Sequence, residues 1–393
     1  MRRKGFFLPL LLALALLGTA CAGDEKGGEG KGGEPILIGF PADLSSTYSY
    51  YDVPMRDGAQ FAIEEINAAG GVLGRPLELR VVDQRNDVTE TTKATQRLIN
   101  EGVVYLIGTT GDAAVAQGTL ACQSGVPVST GDGTAPTLVG DMGDCAFQLV
   151  MSDNVQGAVV AEYALDQGYG TAYLLGSPDY PYTANLPEYF RLAFERGGGK
   201  AVGEDSYVIG AGDFSAVVTK IQNADPQPDV IFTPMFPPDT QVFMRQLRQA
   251  GVEIPVLSTD GNFDESLKEA GAAAIDGMVF SASGCPPEPG TPLQDFYDRY
   301  REATGEDPVS IVVALGYDEI YALKSAIEQA GSTEPADIIR GLATLDYEGV
   351  TGRIKMDPET RRAEKPAWLI VVEGTEFTCG GSSYPSFVPP VIG

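Results

Sequence analysis

PILIGFPADLSSTYSYYDVPMRDGAQFAIEEINAAGGVLGRPLELRVVDQRND, residues 35–87, spells out one β-loop-α-β unit. Ile36 to Phe40 is a short apolar run, the length of a buried strand. Small hydroxyl residues and tyrosines follow and close on Tyr51. Ala59, Ala62, Ile63 and Ile66 then recur at i, i+3, i+4 and i+7, the spacing of one helix face. Gly70-Gly71 stops that helix, because glycine tolerates the left-handed backbone of a helix end. Leu77, Leu79 and Val81 alternate with Glu78 and Arg80 as a second strand. The tyrosine-bearing loop therefore sits at the carboxyl end of the first strand, where open α/β sheets bind ligands.

The alternation continues along the chain. Val103–Gly108, Val126–Ser129, Tyr173–Gly176, Asp229–Thr233 and Ile254–Ser258 read as buried strands. Helical patterns fill 91–100, 113–122, 154–167, 186–195, 214–223 and 240–250; Phe214, Val217, Val218 and Ile221 are one clear stripe. Such βα alternation predicts parallel sheets with helices on both faces. At 393 residues the chain is long for a single core and suits two domains.

Three sequence words carry a resemblance: the loop closing on Tyr51, GAQFAIEEINAAGGVLG (58–74) and VVDQRND (81–87). Together they resemble the opening of type I periplasmic binding proteins, in particular the leucine/isoleucine/valine-binding group that feeds ABC importers. The resemblance covers roughly residues 36–375. It implies an α/β fold of two doubly wound parallel-sheet lobes joined by a three-segment hinge, with the ligand in the cleft between them. Phe147–Ser152, Met278–Ser283 and Gly349–Met356 are then the expected crossings. Lobe 1 becomes 36–149 plus 284–348, and lobe 2 becomes 150–283 plus 349–393.

At the N-terminus, Arg2, Arg3 and Lys4 precede the apolar run Phe6 to Leu17 and then Gly18-Thr19-Ala20-Cys21. This is a secretory signal over 1–20, too short to span a membrane comfortably. Cys21 after small residues resembles a bacterial lipoprotein cleavage box, although Gly18 stands where leucine is usual. The plainer reading is an ordinary signal with a stray cysteine. Residues 21–34, Gly-rich and charged, cannot bury apolar surface and read as a tether. Extracytoplasmic anchoring by a lipidated Cys21 is the expectation.

Acidic residues outnumber basic ones 54 to 27, a formal charge of −27, which repels nucleic acid and anionic headgroups. There is no histidine, so Ser-His-Asp and Cys-His nucleophiles, histidine bases and histidine metal ligands are excluded. No G-x-S-x-G elbow or G-x-x-x-x-G-K-[ST] loop is present. An enzyme is not expected, nor a cofactor or metal. Besides Cys21, four cysteines remain, which allow three pairings. Cys122 with Cys145 and Cys285 with Cys379 are favoured, with buried free thiols as the alternative.

The resemblance also assigns cleft residues. In the relatives, hydroxyls and backbone amides of lobe 1 hold the carboxylate of an amino acid, an acid of lobe 2 meets its ammonium, and tyrosines cover it. Here Thr109, Thr110 and Asp112 lie in the loop 108–113; Asp112 falls where relatives use serine and also suits a helix cap. In STGDGTAP (129–136), Thr134 inherits carboxylate binding, beside Asp132 and Gly133, with Asp132 where relatives have a small residue. Tyr182 or its neighbour Tyr180 in SPDYPYTANL (177–186), Phe236 in FTPMFPPDT (232–240) and Asp260 in LSTDGNFDE (257–265) complete the set with Tyr51. For each aromatic, core packing is the competing role.

The expected function is a monomeric substrate-binding lipoprotein that hands an amino acid or related small polar molecule to an ABC permease and ATPase. A ligand-sensing receptor of the same fold is the alternative. The extra acids at 112 and 132 point further, to a cationic or amide ligand in place of a branched-chain amino acid, through Coulomb attraction and cation–π contact.

Overall fold

The computed structural model describes residues 33–46, 48–111 and 113–392. The signal segment, Cys21, nearly all of the tether and the cleft candidate Asp112 lie outside the described residues. Among those residues, no helix is long and apolar enough to cross a membrane.

The chain runs β1 (Ile36–Ala42), α1 (Ser49–Ala68), β2 (Leu77–Asp83), α2 (Val88–Asn100), β3 (Tyr105–Leu106), α3 (Ala113–Gln123), β4 (Val128–Ser129), α4 (Leu138–Met142) and β5 (Ala146–Phe147). The strands make a sheet in the order β2-β1-β3-β4-β5, every neighbouring pair parallel. A second run follows: α5 (Asp153–Asp166), β6 (Thr171–Gly176), α6 (Pro181–Arg196), β7 (Lys200–Ser206), α7 (Ser215–Gln222), β8 (Val230–Phe232), α8 (Asp239–Gln249), β9 (Val256–Ser258), α9 (Ala272–Ile275) and β10 (Val279–Ala282). Its order, β7-β6-β8-β9-β10, repeats the first sheet strand for strand. Both sheets are doubly wound, with switch points between β1 and β3 and between β6 and β8.

The chain then returns to the first sheet with α10 (Pro292–Thr304), α11 (Ile311–Ala330) and α12 (Pro335–Ala343). An antiparallel set follows, β11 (Asp346–Gly349), β12 (Gly352–Asp357) and β13 (Arg362–Ala363). Finally β14 (Ala367–Glu373) and β15 (Glu376–Ser383) extend the second sheet, β14 antiparallel to β10.

Alternation within the strands explains the layering. In the second sheet Tyr173, Leu175 and Ile231 face one core, whereas Leu174 and Phe232 face another with Phe190 and Phe194. The first core joins β1 and α1 to α10, α11 and α12. The sulfurs of Cys122 and Cys145, and of Cys285 and Cys379, lie at bonding distance, with Cα atoms 5.1 and 5.4 Å apart.

Two of the three expected crossings fall elsewhere. Residues 148–152 do lead from β5 to α5. Most of Met278–Ser283, however, is β10, a strand in the interior of the second sheet. Cys285 still packs in the second core and Leu293 already packs in the first, so the passage lies between them. Gly349–Met356 forms the hairpin arm β12, whose Ile354 and Met356 point into the first core. The last passage is residues 364–366, between β13 and β14. The run GRIKMD alternates with period 2, which suits a strand with one face buried better than a bare linker. In this last passage Lys365 is buried, and its Nζ donates to Thr351 Oγ1 at 2.6 Å. Asp318 of α11 accepts from the Thr351 hydroxyl and from the N–H groups of Val350 and Thr351.

Candidate functional site

The cleft candidates converge from strand carboxyl ends of both sheets. Behind β1, the Asp43 carboxylate accepts from the N–H groups of Ser45, Ser46 and Tyr48, which turns the loop toward α1. Tyr51 sits in the first turn of α1 rather than in the loop, and its ring is 4.2 Å from that of Tyr50.

Asp52, next in the chain, is the hub of this side. Although buried, it accepts from Asp43 N–H (2.7 Å), Thr109 Oγ1 (2.6 Å), Thr110 N–H (3.2 Å) and Thr110 Oγ1 (2.8 Å). Burial lifts its pKa to about 6, against the downward pull of those donors. The Thr110 oxygen also lies 2.5 Å from Asp132 Oδ1. A hydroxyl has one hydrogen, so it cannot donate to both carboxyls. If it serves Asp52, Asp132 must bring its own proton. Consistent with this, burial and the charges of Asp52 and Asp260 raise Asp132 to about 7.

Gly133 and Thr134 follow in the same loop. The Gly133 N–H donates to Thr130 O, and its carbonyl accepts from Gln148 Nε2. The Thr134 carbonyl accepts from the N–H of Asp153 at 2.9 Å, tying this loop to the start of α5. Asp153 is buried there. Its carboxyl rises to about 8 through burial and the charge of Asp260, against the Thr134 and Gln156 side chains, which favour ionisation.

On the opposite side, Tyr182 OH lies 2.7 Å from both Thr259 Oγ1 and Asp260 Oδ1, and it accepts from the N–H of Gly261. Gln156 Oε1 accepts from Ser281 Oγ and from the N–H of Asp260, which fixes the acid's backbone. Phe236 packs beside Gly261, where a Cβ would touch both Phe236 and the Tyr182 hydroxyl. Tyr182, one of the two tyrosine alternatives, thus contacts the acid. Burial raises Asp260 as well.

Thr110 thus lies at Asp132, Thr134 at Asp153, Tyr182 at Asp260 and Phe236 at Gly261, and Asp132 and Asp260 are near enough for the charge of one to act on the other, as both do on Tyr51. The dominant influences on Asp52, Asp132, Asp153 and Asp260 are burial, one another, hydroxyls, amides and backbone N–H groups; none is lysine or arginine. Asp52, Asp153 and Gln156 were not singled out from sequence. A signal existed for Asp52, which shares the helix face of Met55, Ala59, Ile63 and Ile66, an acid on an apolar stripe.

The profile described as periplasmic binding protein matches residues 35–376. The chain belongs to the periplasmic binding protein family. Among relatives of this periplasmic binding protein, the Leu/Ile/Val-binding protein BraC3 of Rhizobium johnstonii is 26% identical over 77% of this chain and 82% of its own. Two solved structures share the fold at similar identity. The branched-chain amino acid transporter substrate binding protein LivJ of Streptococcus pneumoniae, in complex with isoleucine, superposes with a TM-score of 0.77 at 26% identity, covering 89% of this chain and 100% of its own. The leucine binding protein LivK of Thermotoga maritima superposes with a TM-score of 0.76 at 27% identity, covering 89% and 99%. These relatives are transport proteins rather than enzymes, and membership implies an extracytoplasmic location.

Proposed function

We propose that this periplasmic binding protein is the lipid-anchored substrate-binding component of an ABC importer and that it holds a small ligand bearing an ammonium group between its lobes. The observation that carries the reading is the pair Asp132 and Asp260, near enough for the charge of one to act on the other, with Tyr182 bonded to the second acid and Phe236 beside Gly261. Two carboxyls forced together favour a cation between them, and aromatic faces add to its binding. The relatives' transport roles favour import over sensing. Thermal-shift and calorimetric titration of ligand-stripped protein with amino acids, amides and amines tests the reading; no binding by any ammonium compound overturns it. Release of a Cys21→Ala variant from the membrane fraction tests the anchor.

A second reading narrows the ligand to a cation without a carboxylate. It is favoured by where the lobe 1 donors point. The Thr110 N–H donates to Asp52, the Thr110 hydroxyl is engaged by Asp52 and Asp132, and the Gly133 N–H donates to Thr130. Thr134 acts on Asp153. The groups that would receive a ligand carboxylate are already engaged, Thr110 by the protein's own carboxyls and the Gly133 N–H by a backbone carbonyl, so a second anion there meets repulsion and few free donors. Tight leucine binding alongside weak diamine binding would remove this narrower reading and leave the broader one standing.

A further inference from the structure

Behind the cleft, the first sheet holds a buried acid that touches none of the cleft carboxyls. Glu319 lies midway along α11 and is 2% exposed. Its Oε1 accepts from Tyr105 OH at 3.0 Å and from Ser129 Oγ at 2.6 Å. Ser129 Oγ in turn accepts from the N–H of Gly108 at 2.9 Å and of Gly131 at 3.1 Å. Those two glycines open the loops that carry Thr110 on one side and Asp132, Gly133 and Thr134 on the other. The loops are close enough that a Cβ on Gly108 would overlap the backbone of residues 129–131, and Gly131 has a left-handed φ of 57°.

A serine hydroxyl can turn its hydrogen in several directions. Here Glu319 Oε1 takes that hydrogen, which leaves the oxygen lone pairs for the two N–H groups. We propose that Glu319 is a positioning residue for ligand binding: by orienting the Ser129 hydroxyl it locks the loops 108–111 and 130–134 together and so sets the Thr110–Asp132 spacing. Packing alone gives no reason for an acid at this place, since a buried carboxyl without a cation costs stability that an apolar side chain would not. Among the described residues, the groups bonded to the carboxyl are Tyr105 from β3 and Ser129 from β4, both uncharged hydroxyls.

Hydrogen–deuterium exchange of the full protein, without ligand, tests this by following backbone amides in peptides spanning 105–111 and 129–135. In Glu319→Leu and Ser129→Ala, exchange in both peptides should rise by about tenfold, the scale of one lost hydrogen bond in a buried network, with the rest of α11 and the second sheet unchanged. Glu319→Gln, whose amide oxygen still accepts, should restore exchange to near the unaltered rate. Three results would overturn the proposal: unchanged exchange in both loops, a uniform rise throughout the first sheet, or Glu319→Gln behaving like Glu319→Leu. If Glu319→Leu does not fold, Ser129→Ala and Glu319→Gln decide the matter.

Discussion

On the proposed function, ligand choice turns on Asp132. Replacing it with serine removes one carboxyl from the proposed site and leaves the Thr110 hydroxyl with Asp52 alone. Calorimetry on Asp132→Ser should show diamine affinity down by about tenfold or more, roughly 1.4 kcal/mol, and leucine affinity up. The same acids set a pH dependence. Asp132 and Asp153 are held up at about 7 and about 8, so the native state keeps protons that the unfolded chain releases above roughly pH 4. Ligand-free stability should therefore be highest at the acidic end of that window and fall as pH rises toward 8, by on the order of a few kcal/mol. Asp153→Asn should flatten this slope in denaturant titrations at pH 5 and 8; an unchanged slope would show that Asp153 titrates normally. Asp132, Tyr182 and Asp260 were singled out because each follows a readable strand, Tyr182 and Asp260 on positions that resemble the family's and Asp132 as a departure from it. Asp52 and Asp153 were not, because their roles depend on partners from other loops: Asp52 meets Thr109 across 57 residues of chain.

Helices α1 and α11 show how packing adds what local pattern omits. They cross backbone against backbone at Gly58 and Gly316. A Cβ on Gly58 would overlap the Val313 carbonyl, and one on Gly316 would overlap that of Met55. Gly58→Ala should destabilise the protein by about 1–3 kcal/mol or prevent folding, measured by urea denaturation. The bond between Cys122 and Cys145 closes a loop of 23 residues at the end of α3. Replacing both with serine should cost about 3 kcal/mol in the same assay. The helices and strands read before residue 259 lay mostly within a few residues of their ends, whereas α10, α11 and α12 were not read as elements. The second and third crossings were not legible, because β10 is a buried strand and β12 a half-buried one, and neither pattern says which sheet or core it joins.

Two sheets of the same strand order, joined by three passages, make a molecule whose proposed ligand site draws on loops of both lobes. The doubled order is invisible in the sequence, which has no detectable internal repeat, because a βα pattern constrains polarity and period rather than identity. Hinge closure on ligand is the motion this architecture supports. Closing on a cation draws protons off Asp132 and Asp153, since a nearby positive charge favours their ionised forms. Binding of an amine should then release protons near neutral pH, and a zwitterion lacking an anion seat should not compete. The decisive measurement is calorimetric titration of ligand-stripped protein at pH 7 with 1,4-diaminobutane and with leucine, each in two buffers of different ionisation enthalpy. The account predicts diamine binding with net proton release, lost in Asp132→Ser, and weak or absent leucine binding. Tight leucine binding without proton exchange, unaffected by Asp132→Ser, would contradict it.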